Sequence, residues 1–446
     1  MRIVIALHQF FPEFCAGTEV LALQVAVGLR RRGHEVLIFA GTPAAGAVAD
    51  DERFQWSDYD GFQVLKFQHQ HRPMAGETDL VRQEFDSTIV RHRFSRLLRE
   101  WKPDRVHFFN FARISSSPAD CCRELGIPFF YTATDFWSIC LTARLQLEDG
   151  RVCTGPSLEA ENCVAHLLEI KVPVARRLVS AVPGIISLAQ RAGQRFPLNR
   201  ITSFHMLDSM RLRLDVIRRR LDSAVCIWVP TQTMADALQA FGVGVGRLRR
   251  QPYGVDLNGV KRRVRQRELT MRFAFIGTIA FHKGLHTIVD AFALCSRPDL
   301  SLRIYGDTSL SPDYFAGLAG RIADDARISV MGCFSPEKID DVFEDIDALI
   351  VPSVWTENAP LVMLEALARG CPVVVSNQAG LIEFVSHEVN GLIFDAGNSL
   401  ALASSLERLL TEEGLIEGLS RACAAPMSID DYVGDIDSAY ASCLSH

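Results

Sequence analysis

Six short apolar runs in the second half of the chain, each closed by a turn and followed by a helical stretch, constrain the fold more than any other feature. They are FAFIG (273–277), LRIYG (302–306), ISVMG (328–332), ALIVPS (348–353), PVVVS (372–376) and GLIF (391–394). Runs this short and continuous suit strands buried on both faces, and parallel strands need helical crossovers to join them. A doubly wound parallel sheet follows. The N-terminus has the same rhythm. Ile3 to Leu7 is β-prone, Leu21, Val25 and Leu29 fall at helical spacing, and Gly33 stops that helix before VLIFA.

A chain of 446 residues has room for two such α/β domains. The basic stretch beginning VKRRVRQREL, residues 260–270, is poor in large apolar residues and is expected to connect them. The domains are then residues 1–259 and 271–425, followed by a final helix over 426–446. In that helix Ser428 and Asp431 suit an N-cap with an acidic first turn, and Ile429, Val433, Ile436 and Tyr440 share one face. Residues 140–220 interrupt the alternation as an insert with cysteines and then basic helices.

The formal net charge of -6 argues against nucleic acid as a partner, yet it is unevenly spread. Residues 171–220 hold Lys171, Arg176, Arg177, Arg191, Arg195, Arg200, Arg211, Arg213, Arg218, Arg219 and Arg220 against Asp208 and Asp215, which is 11 - 2 = +9. No window is long and apolar enough for a membrane span, and the first residues do not resemble a secretory signal. A cytoplasmic setting is expected, with the 12 cysteines as thiols or metal ligands.

In an open parallel sheet, ligands bind beyond the carboxyl ends of the strands, where helix N-termini offer free N–H groups to anions. Three loops fit. In FCAGTE, after the first strand, Gly17 is either a close-approach glycine for a phosphate or a plain turn residue; without G-x-G-x-x-G the loop does not suit a nicotinamide cofactor. In FIGTIAFHKG, Lys283, one of six lysines in the chain, can reach a diphosphate as a mobile point charge. In PSVWTENAPLVMLEALARG, Pro360 suits the first helical position, Glu357 precedes the helix and Glu365 lies inside it. Helical side chains lean toward the N-terminus, so both carboxylates are expected at one pocket edge, suited to the hydroxyls of a sugar or ribose.

These motifs resemble the retaining family-4 glycosyltransferases of GT-B fold, which pair two Rossmann-like domains. The resemblance rests on Glu-x7-Glu (Glu357, Glu365), the KG turn (Lys283, Gly284), PYGVD (252–256), GCPVV and NGLIF, with AGTE, RRGHEV, PDRVHFFN and TATDFW in the first half. It implies transfer of a hexose or related sugar from a UDP- or GDP-type donor, held in a cleft between the domains, to a saccharide or lipid-linked saccharide in polysaccharide biosynthesis. Glu365 would hold the ribose. Glu357 and the backbone of Asn358, Ala359, Pro360 and Leu361 would hold sugar and diphosphate, with Lys283 and Gly17 at the diphosphate. The leaving group would be stabilised by helix N-termini and one lysine, with no catalytic metal or other cofactor required. The final helix would cross back to the first domain.

The chain departs from that pattern twice. Thr278 stands where many relatives have Arg, and Thr134 stands before Asp135 where many have His. Asp135 and His107 are expected near strand ends, where with Thr134 they could contact sugar or acceptor or be structural. An inactive nucleotide-sugar-binding scaffold, a sugar phosphorylase and a nucleotide-sugar epimerase are the alternatives on this architecture.

Cys140, Cys153, Cys163 and His166 could bind structural zinc or be packed thiols. The basic 171–220 segment suits peripheral docking on an anionic membrane, an acidic acceptor, a solvated helix face, or salt bridges to the acidic remainder.

Overall fold

The computed structural model describes residues 1–147, 150–157, 159–171 and 202–442, and the chain divides into two compact units. Unit 1 comprises residues 1–230, 234–251 and 433–446, and unit 2 comprises 231–233 and 252–432. The stretch 260–270 is tied to unit 2, where the Arg265 N–H donates to Ser420 Oγ at 2.8 Å and Arg262 donates to the Arg421 carbonyl at 2.8 Å.

Unit 1 is built on β1 (Arg2–Leu7), β2 (Glu35–Pro43), β3 (Phe54–Tyr59), β4 (Phe62–His69), β5 (Arg105–Phe108), β6 (Phe129–Thr132), β7 (Ile227–Val229) and β8 (Leu248–Arg250). They form one sheet in the order β3-β4-β2-β1-β5-β6-β7-β8. All neighbours are parallel except β3 and β4, an antiparallel pair at the edge. Asp60 (φ 50°) and Gly61 (φ 72°) join that pair, two left-handed residues whose twist matches a two-residue hairpin. The helix Gly17–Arg31 buries Leu21, Val25 and Leu29 on the sheet and ends before Gly33 at φ 84°.

Unit 2 contains β9 (Met271–Ile276), β10 (Leu300–Tyr305), β11 (Ile328–Gly332), β12 (Ala348–Val351), β13 (Val373–Ser376) and β14 (Gly391–Phe394). All six apolar runs are strands. Their order is β11-β10-β9-β12-β13-β14, parallel throughout. Every residue of β12 and β13 is buried, which explains why these runs do not alternate polar with apolar. Removing each Val, Leu or Ile side chain from water contributes about 1.5–3 kcal/mol.

The last helix, Ile429–Ser442, is capped as its sequence suggests: Ser428 Oγ accepts from the Asp431 N–H at 3.0 Å and donates to Asp431 Oδ2 at 2.6 Å. Ile429, Val433, Ile436 and Tyr440 are all buried. From Val433 onward the helix belongs to unit 1, where Arg105 donates to the Tyr440 carbonyl at 3.0 Å and Val433 packs on Gly28. Among the described residues, no helix is long and apolar enough to cross a membrane.

Candidate active site

In unit 2 the strand order reverses between β9 and β12, so the loops that follow these two strands flank the crevice where open α/β sheets bind ligands. Lys283 is on the first loop and Glu357 on the second. The turn Phe281–Lys283 closes on Gly284 at φ 75°, and a Cβ there would overlap the Pro352 carbonyl. Glycine is thus required for both its conformation and its close approach. The Val354 N–H donates to the His282 carbonyl at 2.9 Å, and the His282 ring meets Trp355 edge-on at 5.0 Å. The two loops are knit together before any ligand is considered.

Their junction is an ion pair. Lys283 Nζ donates to Glu357 Oε1 at 2.7 Å and lies 5.0 Å from the centroid of the Trp355 ring. The same oxygen accepts from Ser353 Oγ at 2.5 Å and Trp355 Nε1 at 2.8 Å. Burial alone would raise the Glu357 pKa, but the Lys283 ammonium and the hydroxyl and indole donors hold it below the usual carboxylate value. Oε2 takes none of these three bonds.

After Glu357 the chain is pinned again. Asn358 Oδ1 accepts from Thr231 Oγ1 at 3.0 Å, and its Nδ2 donates to Tyr253 Oη at 3.0 Å. Ala359 is buried, and Pro360 is the N-cap of the helix Leu361–Ala368, one position earlier than the sequence suggests. The Met363 N–H donates to the Pro360 carbonyl at 3.0 Å, and ahead of it the N–H groups of Leu361 and Val362 lie where a helix offers no intrahelical acceptor and an anion can be met. Gly380 lies beneath this loop: a Cβ there would overlap the carbonyl oxygens of both Glu357 and Asn358. Sequence reasoning did not single out Gly380.

Glu365 lies inside the helix, nearly buried, and pairs with Arg369, which also bonds Asp340 at 2.6 Å. Burial raises its pKa, against the Arg369 charge and with that of Asp256. Glu357 and Glu365 therefore each have a separate cation as partner.

In unit 1 Gly17 is exposed at the start of its helix, just beyond β1. Two residues on, Glu19 is fully buried with His8 Nε2 at 3.4 Å, and burial lifts its pKa to about 7. His8, also desolvated, falls to about 3. Neither was singled out from sequence. Beyond β5 and β6, Asp135 Oδ2 accepts from Asn110 Nδ2 at 2.8 Å and Oδ1 from the Trp137 N–H at 2.9 Å. Burial raises the Asp135 pKa to about 6 despite those donors and Arg213. Thr134 Oγ1 donates to the Phe109 carbonyl at 2.8 Å, so its hydroxyl is committed to the loop.

His107, one residue before the end of β5, takes the structural of its two readings. It is fully buried in β5, with Nδ1 2.6 Å from Tyr440 Oη, Nε2 2.8 Å from Thr132 Oγ1, and its ring stacked on Trp228 at 5.2 Å. Desolvation lowers its pKa to about 3, and its role is to dock the last helix.

The basic segment divides among its readings. Arg176, Arg177, Arg191, Arg195 and Arg200 lie outside the described residues. Of the others, Arg213 is fully buried and donates to the Trp137 and Ile139 carbonyls, stacking 4.7 Å from the Trp137 centroid. Arg220 is buried between Asp86 and Asp120, each at 2.6 Å, while Arg211 pairs with Glu159 at 2.9 Å. Arg213 and Arg220 therefore present no charge to a lipid surface.

Cys140, Cys153, Cys163 and His166 line one cavity, with burial raising the Cys163 thiol to about 12. Their ligand atoms are not clustered tightly. Among the described residues, the group whose ligand atoms all lie within 4.8 Å of one another is His69, His71 and Glu84. The sequence signal for that group, His-x-His at a strand end, was not used.

Two family models match this chain: "Glycosyl transferase 4-like domain" over residues 16–254 and "Glycosyl transferases group 1" over residues 261–424. An uncharacterized glycosyltransferase of Methanocaldococcus jannaschii is 30% identical over 144 residues, which is 32% of this chain and 36% of that protein. A D-inositol 3-phosphate glycosyltransferase of Rhodococcus jostii is 29% identical over 166 residues, 35% of this chain and 36% of the relative. The match thus spans about a third of the length of these relatives. Sucrose-phosphate synthase from Thermosynechococcus elongatus superposes with a TM-score of 0.66 at 16% identity, covering 100% of both chains. Anabaena HepE in complex with UDP and glucose does so with 0.62 at 16% identity, over 98% of this chain and 99% of that one. The family models, one of which covers more than half of the chain, and the two parallel α/β sheets make this chain a member of the glycosyl transferase 4-like family with the GT-B fold.

Proposed function

We propose that the chain is a retaining glycosyltransferase that moves a sugar from a nucleoside-diphosphate sugar to a saccharide or lipid-linked saccharide acceptor. The observation that carries this reading is the Lys283–Glu357 pair, held at the strand-order reversal of unit 2 beside a helix N-terminus. An ammonium and free N–H groups there would offset the charge that builds on a departing diphosphate, without a metal ion. Glu357, ionised and anchored through Oε1, keeps Oε2 to accept from sugar hydroxyls. Glu365, held by Arg369, would accept from the ribose.

HepE, of the same fold, holds UDP and glucose, which favours a uridine donor over a guanosine one. Thermal shift tests this: UDP should raise the melting temperature more than GDP or ADP, because a ligand of the folded state stabilises it by mass action. No shift with any of the three would sink the donor assignment. Retention is read from the anomeric configuration of the product by NMR, and an inverted product would overturn it.

Unit 1 would meet the acceptor, with Asp135 as the carboxylate beside it. Docking on an anionic membrane would fall to the basic residues of 171–220 other than Arg213 and Arg220, and vesicle co-sedimentation that survives neutralising Arg211, Arg218 and Arg219 together with the arginines between 176 and 200 would exclude it.

The cysteine cavity is assigned structural zinc, which would draw its four ligands together. Zn²⁺, three thiolates and a neutral imidazole sum to one negative charge. That charge would offset Arg213, fully buried near Cys140 and Cys163 and, among the described residues, without a carboxylate in ion-pair reach. Metal analysis of Cys163→Ser should show one zinc fewer; unchanged zinc content would refute the site.

A further inference from the structure

The carboxyl edge of the unit 1 sheet carries a group of side chains that the glycosyl-transfer reading does not use. His69 is the last residue of β4, fixed in register opposite Pro43 of β2, and its carbonyl accepts from the Ala44 N–H at 3.0 Å. His71 is two residues on, in the bend that follows the strand. Glu84 comes from the helix Leu80–Phe85. Both imidazoles converge on one atom: His69 Nε2 lies 2.9 Å from Glu84 Oε1, and His71 Nδ1 lies 3.0 Å from it. The two rings are perpendicular, at 84°, with centroids 4.9 Å apart.

Two imidazole nitrogens and one carboxylate oxygen, each from a different side chain, thus meet at one point. A tetrahedral ion bound at about 2.0–2.1 Å sets neighbouring donor atoms about 3.3 Å apart; the two nitrogen–oxygen spacings, 2.9 and 3.0 Å, are close to that, and all three ligand atoms lie within 4.8 Å of one another. The loop between the histidines is held as a binding loop would be. Gln83, buried and next to Glu84, donates to the Gln70 carbonyl at 3.1 Å and the Arg72 carbonyl at 3.0 Å, and accepts from the Met74 N–H at 3.1 Å. These three bonds bracket His71 on both sides. Gln70 is fixed in turn by Arg53 at 3.2 Å. His69 is nearly buried while the His71 side chain is 81% exposed, so an ion has a rigid inner wall and an open approach.

We propose that His69, His71 and Glu84 form a binding site for a divalent first-row transition metal ion, zinc by ligand preference, with at least one coordination position open to water or a ligand oxygen. Two imidazoles and one carboxylate suit zinc better than calcium or magnesium, which favour all-oxygen ligand sets. Each imidazole would carry its proton on the other ring nitrogen, leaving a lone pair for the ion. The site does not depend on the glycosyltransferase reading and is distinct from the cysteine cavity, whose thiols give a metal ion a different spectrum.

The test uses the full-length chain freed of metal by a chelator and titrated with Co²⁺ and Zn²⁺. In a protein with Cys140, Cys153 and Cys163 all changed to Ser, Co²⁺ should give an optical spectrum without sulfur-to-metal charge transfer, and Zn²⁺ should compete for that site. Adding His71→Ala, a surface change expected to leave the circular dichroism intact, should abolish the spectrum and weaken Zn²⁺ more than about 10-fold, since even outer partners of metal ligands matter by 10–100-fold. Glu84→Gln should act in the same direction. A protein lacking the three cavity thiols that shows no nitrogen–oxygen cobalt spectrum, or one whose spectrum and zinc affinity survive His71→Ala, would overturn the proposal.

Discussion

Lys283 Nζ stands 2.7 Å from Glu357 Oε1, and the pair joins the loops that follow two adjacent strands of unit 2, β9 and β12. Removing one partner leaves the other charge poorly solvated. Lys283→Ala should therefore destabilise by about 3–5 kcal/mol. The sign of the pH dependence should also reverse. In the wild type Glu357 has a depressed pKa, so its contribution is present above the unfolded value and lost only as pH falls through the folded one. Without Lys283, burial dominates and raises the pKa, so stability should fall as pH rises from 5 to 8. Adding Glu357→Gln should flatten that slope, and thermal unfolding across the same range checks both variants.

Gly380 sets the height of the Glu357–Asn358 backbone, because any side chain there overlaps both carbonyl oxygens. Gly380→Ala should cost about 1–3 kcal/mol and lift the loop. Nucleotide affinity should drop with it. A melting temperature and a nucleotide dissociation constant both equal to wild type would show that the contact is not needed.

Asp135, with its pKa raised to about 6, should place an acid limb on kcat/KM if it meets the acceptor as an anion. The rate should decline below pH 6, and Asp135→Asn should lose that limb along with most of the activity. A limb that persists in the variant belongs to another group.

Glu19 tests the electrostatics of unit 1. Its folded pKa of about 7 lies above the ordinary 4.5, so the folded state keeps a proton that the unfolded chain releases, and stability falls as pH rises between those values. Glu19→Gln stays neutral and should gain roughly 3 kcal/mol over wild type at pH 8 but almost nothing at pH 4.5. An equal melting shift at both pH values would contradict this account.

Much of this was legible in the chain itself, for physical reasons. The six strands of unit 2 are buried on both faces, so continuous apolar runs mark them, and the final helix shows its face through Ile429, Val433, Ile436 and Tyr440. Lys283 and Glu357 are visible because loop position after a strand is a sequence property. Their direct bond is not, since spacing suggested that Glu357 would share an edge with Glu365 instead. The antiparallel β3–β4 pair turns on Asp60-Gly61, a hairpin signal that sequence reasoning did not use. The +9 count could not choose among its readings, because it treats every arginine as solvated, whereas Arg213 and Arg220 are buried, Arg220 in salt bridges to Asp86 and Asp120. His107 was open between two readings for a like reason: its partners Tyr440 and Trp228 are distant in sequence, and only folding makes it a core residue.

The most direct test of the central claim compares wild type with Glu357→Gln using UDP-sugar donors and a panel of saccharide acceptors, following both UDP release and glycosylated product. The account predicts acceptor-dependent transfer by the wild type, and a loss of about 10²–10³ in kcat for Glu357→Gln with UDP binding and folding retained. A wild-type protein that binds UDP-sugar tightly yet releases no UDP with any acceptor, or a variant that turns over as fast as wild type, would contradict it.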